Sequence, residues 1–249
     1  MKEKNTNHGI NINASTVDNE EIERFSRIAD EWWNEKGKFA PLHSMNPVRI
    51  EYIRAKILAN FQSIEGIKLL DIGCGGGLIA EPMARLGAVV TAIDASEKNI
   101  AVAKLHAEKM GLNIDYRCTS AEDLSKTGEK FDVILALEII EHVADVNLFI
   151  KSACELLNPN GLIILSTLNR TAKSYALAII GAEYIMRLLP IGTHTWSKFL
   201  RPSELAHPLE ENNIEITDLM GMVMNPLSWK WHLDPKDLAV NYLICGKKI

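Results

Sequence analysis

Glu138, Glu141 and His142 are the residues whose types and spacing suggest chemistry most directly. Two carboxylates and an imidazole at i, i+3 and i+4 share one face if the segment is helical. Such a set can move a proton, with His142 as general base. The same side chains can also hold Mg2+, with Glu138, Glu141 and His142 as its ligands. A plainer reading has Glu141 and His142 capping and solvating the helix that follows.

A second cluster lies upstream, in Asp71-Ile72-Gly73-Cys74-Gly75-Gly76-Gly77. Glycines after a strand let the backbone turn sharply and approach a ligand closely, and Gly73 and Gly75 are the expected contacts. A dinucleotide site spaces its glycines G-x-G-x-x-G and brings a helix N-terminus onto a pyrophosphate. Here Gly77 comes one residue too early for that. A tight turn with no ligand is the competing reading of the loop taken alone. Asp94 ends a second apolar run about twenty residues further on, where an acid accepts hydrogen bonds from ribose hydroxyls. Its competing role is to cap the helix that begins at Ser96. A third run is followed by Ser120-Ala121-Glu122-Asp123-Leu124, which puts Glu122 within reach of an adenine amino group. The three features together point to S-adenosylmethionine and away from a dinucleotide. Asp71 then orients the loop or meets the cofactor's ammonium group.

The elements that position these residues alternate regularly from Ile67 onward. Strands are expected at 67–72, 88–94, 114–118, 131–137 and 162–167, with helices at 78–86, 96–110 and 145–157. The turn Asn158-Pro159-Asn160-Gly161 closes the last of these helices. Apolar runs without alternation suit parallel strands covered on both faces, and single intervening helices imply right-handed βαβ units. Pro202–Asn212 reads as helix, and 214–220 and 240–246 as strands. The expected fold is therefore α/β: a doubly wound, mostly parallel, seven-stranded sheet with a helical insertion after the fifth strand. Two helices precede it. One covers 20–34, capped by Asp18, and one covers 46–60, with Pro47 in its first turn. Residues 1–17 read as disordered, and 18–249 as a single domain.

The chain has 249 residues, 47% of them hydrophobic and 24% charged, with a formal net charge of −5. That balance suits one soluble domain and gives no general attraction to nucleic acid. Cys74, Cys118, Cys154 and Cys245 form no C-x-x-C pair, so a reducing compartment without disulfides is expected. Cys118 and Cys245 sit in apolar runs and are expected to be buried. No signal peptide is recognisable, and no run of 18 uncharged apolar residues occurs. The cytoplasm is the expected location.

Further strings narrow the reading. They are Trp32-Trp33, Pro41-Leu42-His43, Asn46-Pro47-Val48-Arg49, Glu138-Ile139-Ile140-Glu141-His142-Val143, Ser166-Thr167-Leu168-Asn169-Arg170, Gly181-Ala182-Glu183-Tyr184-Ile185 and Pro190-Ile191-Gly192-Thr193-His194. From about residue 18 to the C-terminus the chain resembles the O-methyltransferase family of ubiquinone biosynthesis. The resemblance implies a class I methyltransferase fold, S-adenosylmethionine as cofactor, and methylation of hydroxyls on polyprenylated aromatic intermediates: a polyprenyl catechol and a demethylated ubiquinol. It implies cofactor contacts at Arg49, Gly73, Asp94 and Leu137, the last standing where some relatives carry Met. It also implies Mg2+ in some members. Independently, a guanidinium at Arg49 suits the methionine carboxylate. A phenol has a pKa of roughly 10, so a base or a metal must assist its deprotonation.

Residues 171–190 carry Tyr175, Leu177, Ile179, Ile180, Tyr184, Ile185, Met186, Leu188 and Leu189, interrupted by Lys173, Glu183 and Arg187. This composition suits an amphipathic helix lying in a membrane interface, which would make the protein peripheral at the inner face of the membrane. A lid or an ordinary core helix is the competing reading. The other functions in contention are methylation of a soluble phenol and a non-catalytic scaffold in a ubiquinone-synthesis complex.

Overall fold

The computed structural model describes residues 15–177, 195–225 and 228–249. Its centre is one eight-stranded sheet in the order β3-β2-β1-β4-β5-β8-β6-β7. The strands are β1 (Lys68–Ile72), β2 (Val89–Asp94), β3 (Asp115–Cys118), β4 (Phe131–Leu137), β5 (Leu157–Leu168), β6 (Ile214–Asn225), β7 (Lys230–Asp234) and β8 (Asn241–Lys248). β3, β2, β1, β4 and β5 are mutually parallel neighbours. The β5–β8, β8–β6 and β6–β7 pairs are antiparallel. This is the doubly wound α/β architecture expected, with one strand more than the seven anticipated. The extra strand is β7, Lys-Trp-His-Leu-Asp, whose residues are half-buried or exposed. An edge strand of that kind has no apolar run to announce it.

Apolar residues of the central strands face both ways, as a sheet covered on two sides requires. Leu69, Val133, Leu135 and Ile164 join one buried cluster, with Ile53 and Ile57 of helix α2. Leu70, Ile134, Ala136 and Ile163 join the other, with Phe149 and Ile150. The covering helices are α1 (Asn19–Arg27), α2 (Ala40–Phe61), α3 (Ala80–Arg85), α4 (Glu97–Lys109), α5 (Ala121–Ser125), α6 (Val146–Leu156), the single turn α7 (Ala172–Ser174) and α8 (Pro202–Glu211).

Several boundaries differ from expectation. Asp18 caps α1 by accepting from the Glu20 and Glu21 N–H groups, but the helix stops at Arg27, and a 3-10 turn at Ala29–Glu31 replaces its second half. Helix α2 begins at Ala40, so Pro47 lies inside it. The Asn158–Gly161 turn is absorbed into β5 as a register shift opposite Phe131 and Val133, with Asn160 at φ +61°. The four cysteines are free thiols, and Cys118 is exposed, not buried as its strand-like run suggested. Residues 15–17 are docked, not disordered: Thr16 is buried, and its carbonyl accepts from the Ala144 N–H. Residues 1–14 lie outside the described set, as does 178–194, most of the segment read as membrane-interfacial. Among the described residues no helix is long and apolar enough to cross a membrane.

Candidate active site

Strand order reverses between β1 and β4, and in such sheets ligands gather at the carboxyl ends of the strands on either side of the reversal. A pocket opens there. Gly73 and Gly75 after β1, Asp94 at the end of β2, Ser120 and Ala121 after β3, and Leu137, Glu138 and His142 after β4 all line it. Asp18, Glu21, Ile22 and Phe25 of the N-terminal arm line it as well.

The glycine loop is pinned to β2, since the Gly73 and Cys74 N–H groups both donate to the Ile93 carbonyl. Asp94 is half-buried and holds the loop from the other side. It accepts from Gly75 N–H at 3.0 Å, Ser96 N–H at 2.8 Å and Asn99 Nδ2 at 3.2 Å. Burial raises its pKa, and these three donors work against that. The cap of α4 is Ser96, which accepts from the Asn99 N–H, so Asp94 is free of that duty.

Arg49 and Asp71 lie deeper. Arg49 is buried and donates to the Leu42 carbonyl and to Asn46 Oδ1. Burial lowers the pKa of its guanidinium, opposed by the nearby carboxylates of Glu138 and Asp71. Burial raises Asp71 to about 7, opposed by Arg49 and reinforced by Asp94. Arg49 Nε and Asp71 Oδ2 are enclosed without a hydrogen-bond partner. Orphaned buried polar atoms are rare and call for an explanation. An unpaired donor and an unpaired acceptor of opposite charge are what the carboxylate and ammonium of an amino acid would satisfy. The residues present therefore fit S-adenosylmethionine. Arg49 and Asp71 suit its methionine end, Asp94 its ribose, and Ala121, Leu137 and Phe149 its apolar surroundings.

Glu122 does something other than expected. It is not part of the pocket wall. Its carboxylate accepts from the Thr16 N–H at 2.9 Å, from the Thr16 hydroxyl and from Ser15 Oγ. The acid placed to read adenine anchors the N-terminal arm instead. Sequence reasoning missed this because the partners lie more than a hundred positions away.

The Glu138–His142 segment is not a regular helix, and its three side chains do not converge. Glu138 takes φ +55°, and only Ile140–His142 form a 3-10 turn. Glu138 accepts from Ser166 Oγ at 2.7 Å, with Asn241 Nδ2 3.5 Å from its other oxygen. Burial raises its pKa to about 7, and the neighbouring Glu141 adds to the rise. Glu141 turns inward to accept from the Thr167 hydroxyl at 2.8 Å. His142 turns toward the arm: its Nδ1 is 3.3 Å from Glu21 Oε2 and 3.4 Å from an Arg24 nitrogen, and its ring meets Phe25 edge-on. The i, i+3, i+4 argument assumed a helix, and without one the common face disappears. The three do not fit the set of Mg2+ ligands expected of them, and among the described residues no cluster of three His, Cys, Asp or Glu side chains is arranged to hold a metal ion. Ser166 and Thr167, from the β5 string, are the residues that aim Glu138 and Glu141.

Glu21 was not anticipated. Burial works to raise its pKa, but His142, Arg24 and Lys198 together bring it down to about 2. Trp32 also lay outside the expected site. It stacks on Phe39 at 3.7 Å, lies over the glycine loop, and lines the pocket.

Comparison with known proteins agrees with this geometry. Residues 42–219 match the model of a methyltransferase domain family. The fold matches magnesium protoporphyrin IX methyltransferase from Synechocystis PCC 6803, solved with bound SAM, at a TM-score of 0.64 and 17% identity over 95% of this chain and 100% of that one. A SAM-dependent methyltransferase from Methanosarcina mazei superposes at a TM-score of 0.58 and 22% identity, over 78% of this chain and 97% of that one. The chain is thus a Rossmann-like class I methyltransferase. Two curated relatives narrow the class. The ubiquinone biosynthesis O-methyltransferase of Bartonella quintana is 53% identical over 96% of this chain and 99% of its own length. That of Cereibacter sphaeroides (strain ATCC 17025) is 54% identical over 92% and 96%. The chain belongs to the ubiquinone biosynthesis O-methyltransferase family, and it is a SAM-dependent O-methyltransferase.

Proposed function

We propose that the protein transfers the methyl group of S-adenosylmethionine to aromatic hydroxyls of polyprenylated ubiquinone precursors, both the polyprenyl catechol and the demethylated ubiquinol. The observation that carries this is that the loops after β1, β2 and β3 share one cavity with Glu138 and His142. A bound acceptor would then lie between the cofactor and an imidazole.

S-adenosylmethionine supplies an activated methyl on a sulfonium, which becomes neutral as the methyl leaves. The protein's tasks are alignment of the acceptor oxygen and removal of its proton. His142 suits the second task, because Nδ1 faces Glu21 and Arg24 and leaves Nε2 as the other ring nitrogen for the acceptor hydroxyl. Glu138, held by Ser166, has its carboxyl pushed up by burial and by the neighbouring Glu141. No step is assigned to Mg2+, since the three side chains point to separate partners.

Contact with the membrane surface belongs to the same proposal. A polyprenyl acceptor resides in the bilayer, and residues 171–190 have interfacial composition. At the start of that segment Tyr175 and Leu177 are both about half exposed. The test is methyl transfer to short-chain demethylubiquinol and to a polyprenyl catechol, each with Mg2+ and with EDTA. Turnover of both acceptors in EDTA is expected. Activity on soluble phenols alone, or activity abolished by EDTA and restored by Mg2+, would refute the corresponding part. Co-sedimentation with anionic liposomes, lost on deleting 171–190, tests the membrane contact.

A further inference from the structure

Trp32 lies in the arm that precedes the sheet, yet it is bonded into the floor of the ribose site. Its Nε1 donates to Asn99 Oδ1 at 2.9 Å. Asn99 Nδ2 donates in turn to Asp94 Oδ1 at 3.2 Å. Both Trp32 and Asn99 are buried, at 7% and 3% exposure.

The chemistry of this chain has one direction only. An indole nitrogen is a donor and never an acceptor, and an ionised carboxylate is an acceptor only. Asn99 sits between them and can satisfy both in a single orientation, with its oxygen to Trp32 and its nitrogen to Asp94. Without the indole donor the amide loses the partner that selects that orientation. The flipped amide would present oxygen to the carboxylate, which removes a donor and adds repulsion. Asp94 would then be left with the Gly75 and Ser96 N–H groups.

We propose that Trp32 is a positioning residue for cofactor binding: through Asn99 it holds Asp94 in the orientation that receives the ribose hydroxyls. This makes the N-terminal arm part of the cofactor site. Other arm contacts fall on the loops after β2 and β3. Ser26 Oγ is 2.6 Å from Ser96 Oγ beside Asp94, and Thr16 is bonded to Glu122 beyond β3. The inference rests on Asp94 as the ribose acceptor, and the variants below separate the two claims.

The experiment is calorimetric binding of S-adenosylhomocysteine and of its 2′-deoxy analogue to the full chain and to W32F, N99A, W32F/N99A and D94N. Trp32→Phe keeps an aromatic ring on Phe39 and removes the donor. It is expected to weaken S-adenosylhomocysteine by about fivefold, the scale of one buried hydrogen bond, and the 2′-deoxy analogue by much less. Asn99→Ala should have a similar effect, and the double variant should be no weaker than N99A. A structural role alone would lower the melting temperature without changing discrimination between the two ligands. If D94N binds both ligands as the parent does, the ribose assignment is wrong. If D94N loses discrimination while W32F retains it, the assignment stands and the role of Trp32 is refuted. Additive losses in W32F/N99A would also refute it, because Trp32 would then act by another route.

Discussion

A β-carbon on Gly76 would stand 2.4 Å from Cβ of Trp32, and one on Gly75 would stand 2.4 Å from the indole ring. The two middle glycines of the loop are therefore needed by the arm. Gly75 has the further constraint of φ +53°, which side-chain-bearing residues rarely adopt. Gly76→Ala isolates the clash, since Gly76 is not in the left-handed region. Overpacking of a tight contact costs about 1–3 kcal/mol. G76A should lower stability in urea by that amount and free Trp32, seen as a red shift of its fluorescence. An unshifted spectrum with parental stability would show that the arm does not press on the loop.

Asp71 predicts a pH dependence with a definite sign. Its carboxyl moves from the ordinary 3.8 to about 7 on folding, mainly through burial. Between those values the folded protein binds more protons than the unfolded one, so stability falls as pH rises through that window. Asp71→Asn cannot titrate, so the melting-temperature difference between D71N and the parent should grow in favour of D71N from pH 4 to pH 7. Saturating S-adenosylhomocysteine should shrink the difference, because the ligand's ammonium would compensate the charge. A difference independent of pH would contradict the assignment.

His142 and Glu21 make a kinetic prediction. Loss of a general base typically costs about 10²- to 10⁴-fold in rate. His142→Ala should lose kcat on that scale with the KM for S-adenosylmethionine unchanged. Glu21→Gln retains the shape and removes the charge at Nδ1, so its loss should be smaller and in kcat as well. A raised cofactor KM with normal kcat in H142A would reassign the residue to cofactor binding.

Glu122 separates two roles by proteolysis. As the anchor of Ser15 and Thr16, its removal in E122A should expose the chain near residue 15 to limited digestion and lower the melting temperature by a few degrees. An adenine reader would instead weaken S-adenosylhomocysteine binding while the arm stayed protected.

Much of the architecture was legible because it follows from local periodicity. The strands at β1, β2 and β4 are mostly apolar runs, and Ser96 and Asp145 cap their helices as short polar side chains before a helix do; the short helix α5 behind Ser120 had no such run to mark it. β7 was not legible, since an exposed edge strand needs no apolar pattern. The sequence predicts too long a first helix because Ile28, Trp32 and Trp33 continue the spacing of α1. In the structure the chain bends at Ile28, and Trp32 reaches the glycine loop while Trp33 stacks on His106.

From the sequence alone came the doubly wound sheet, the glycine loop after β1 with Asp94 at the end of β2, and, by resemblance, the methyltransferase family. Those depend on spacing along the chain, which short-range sterics and strand ends convert directly into geometry. Only the tertiary structure decided that Glu122 holds the arm, that Glu138, Glu141 and His142 diverge, and that Trp32 is hydrogen-bonded to Asn99 beside Asp94. Each of these depends on which buried donor meets which buried acceptor across tens to a hundred residues. A buried carboxylate or amide must satisfy whatever packs against it, and that neighbour is chosen by the folded chain as a whole.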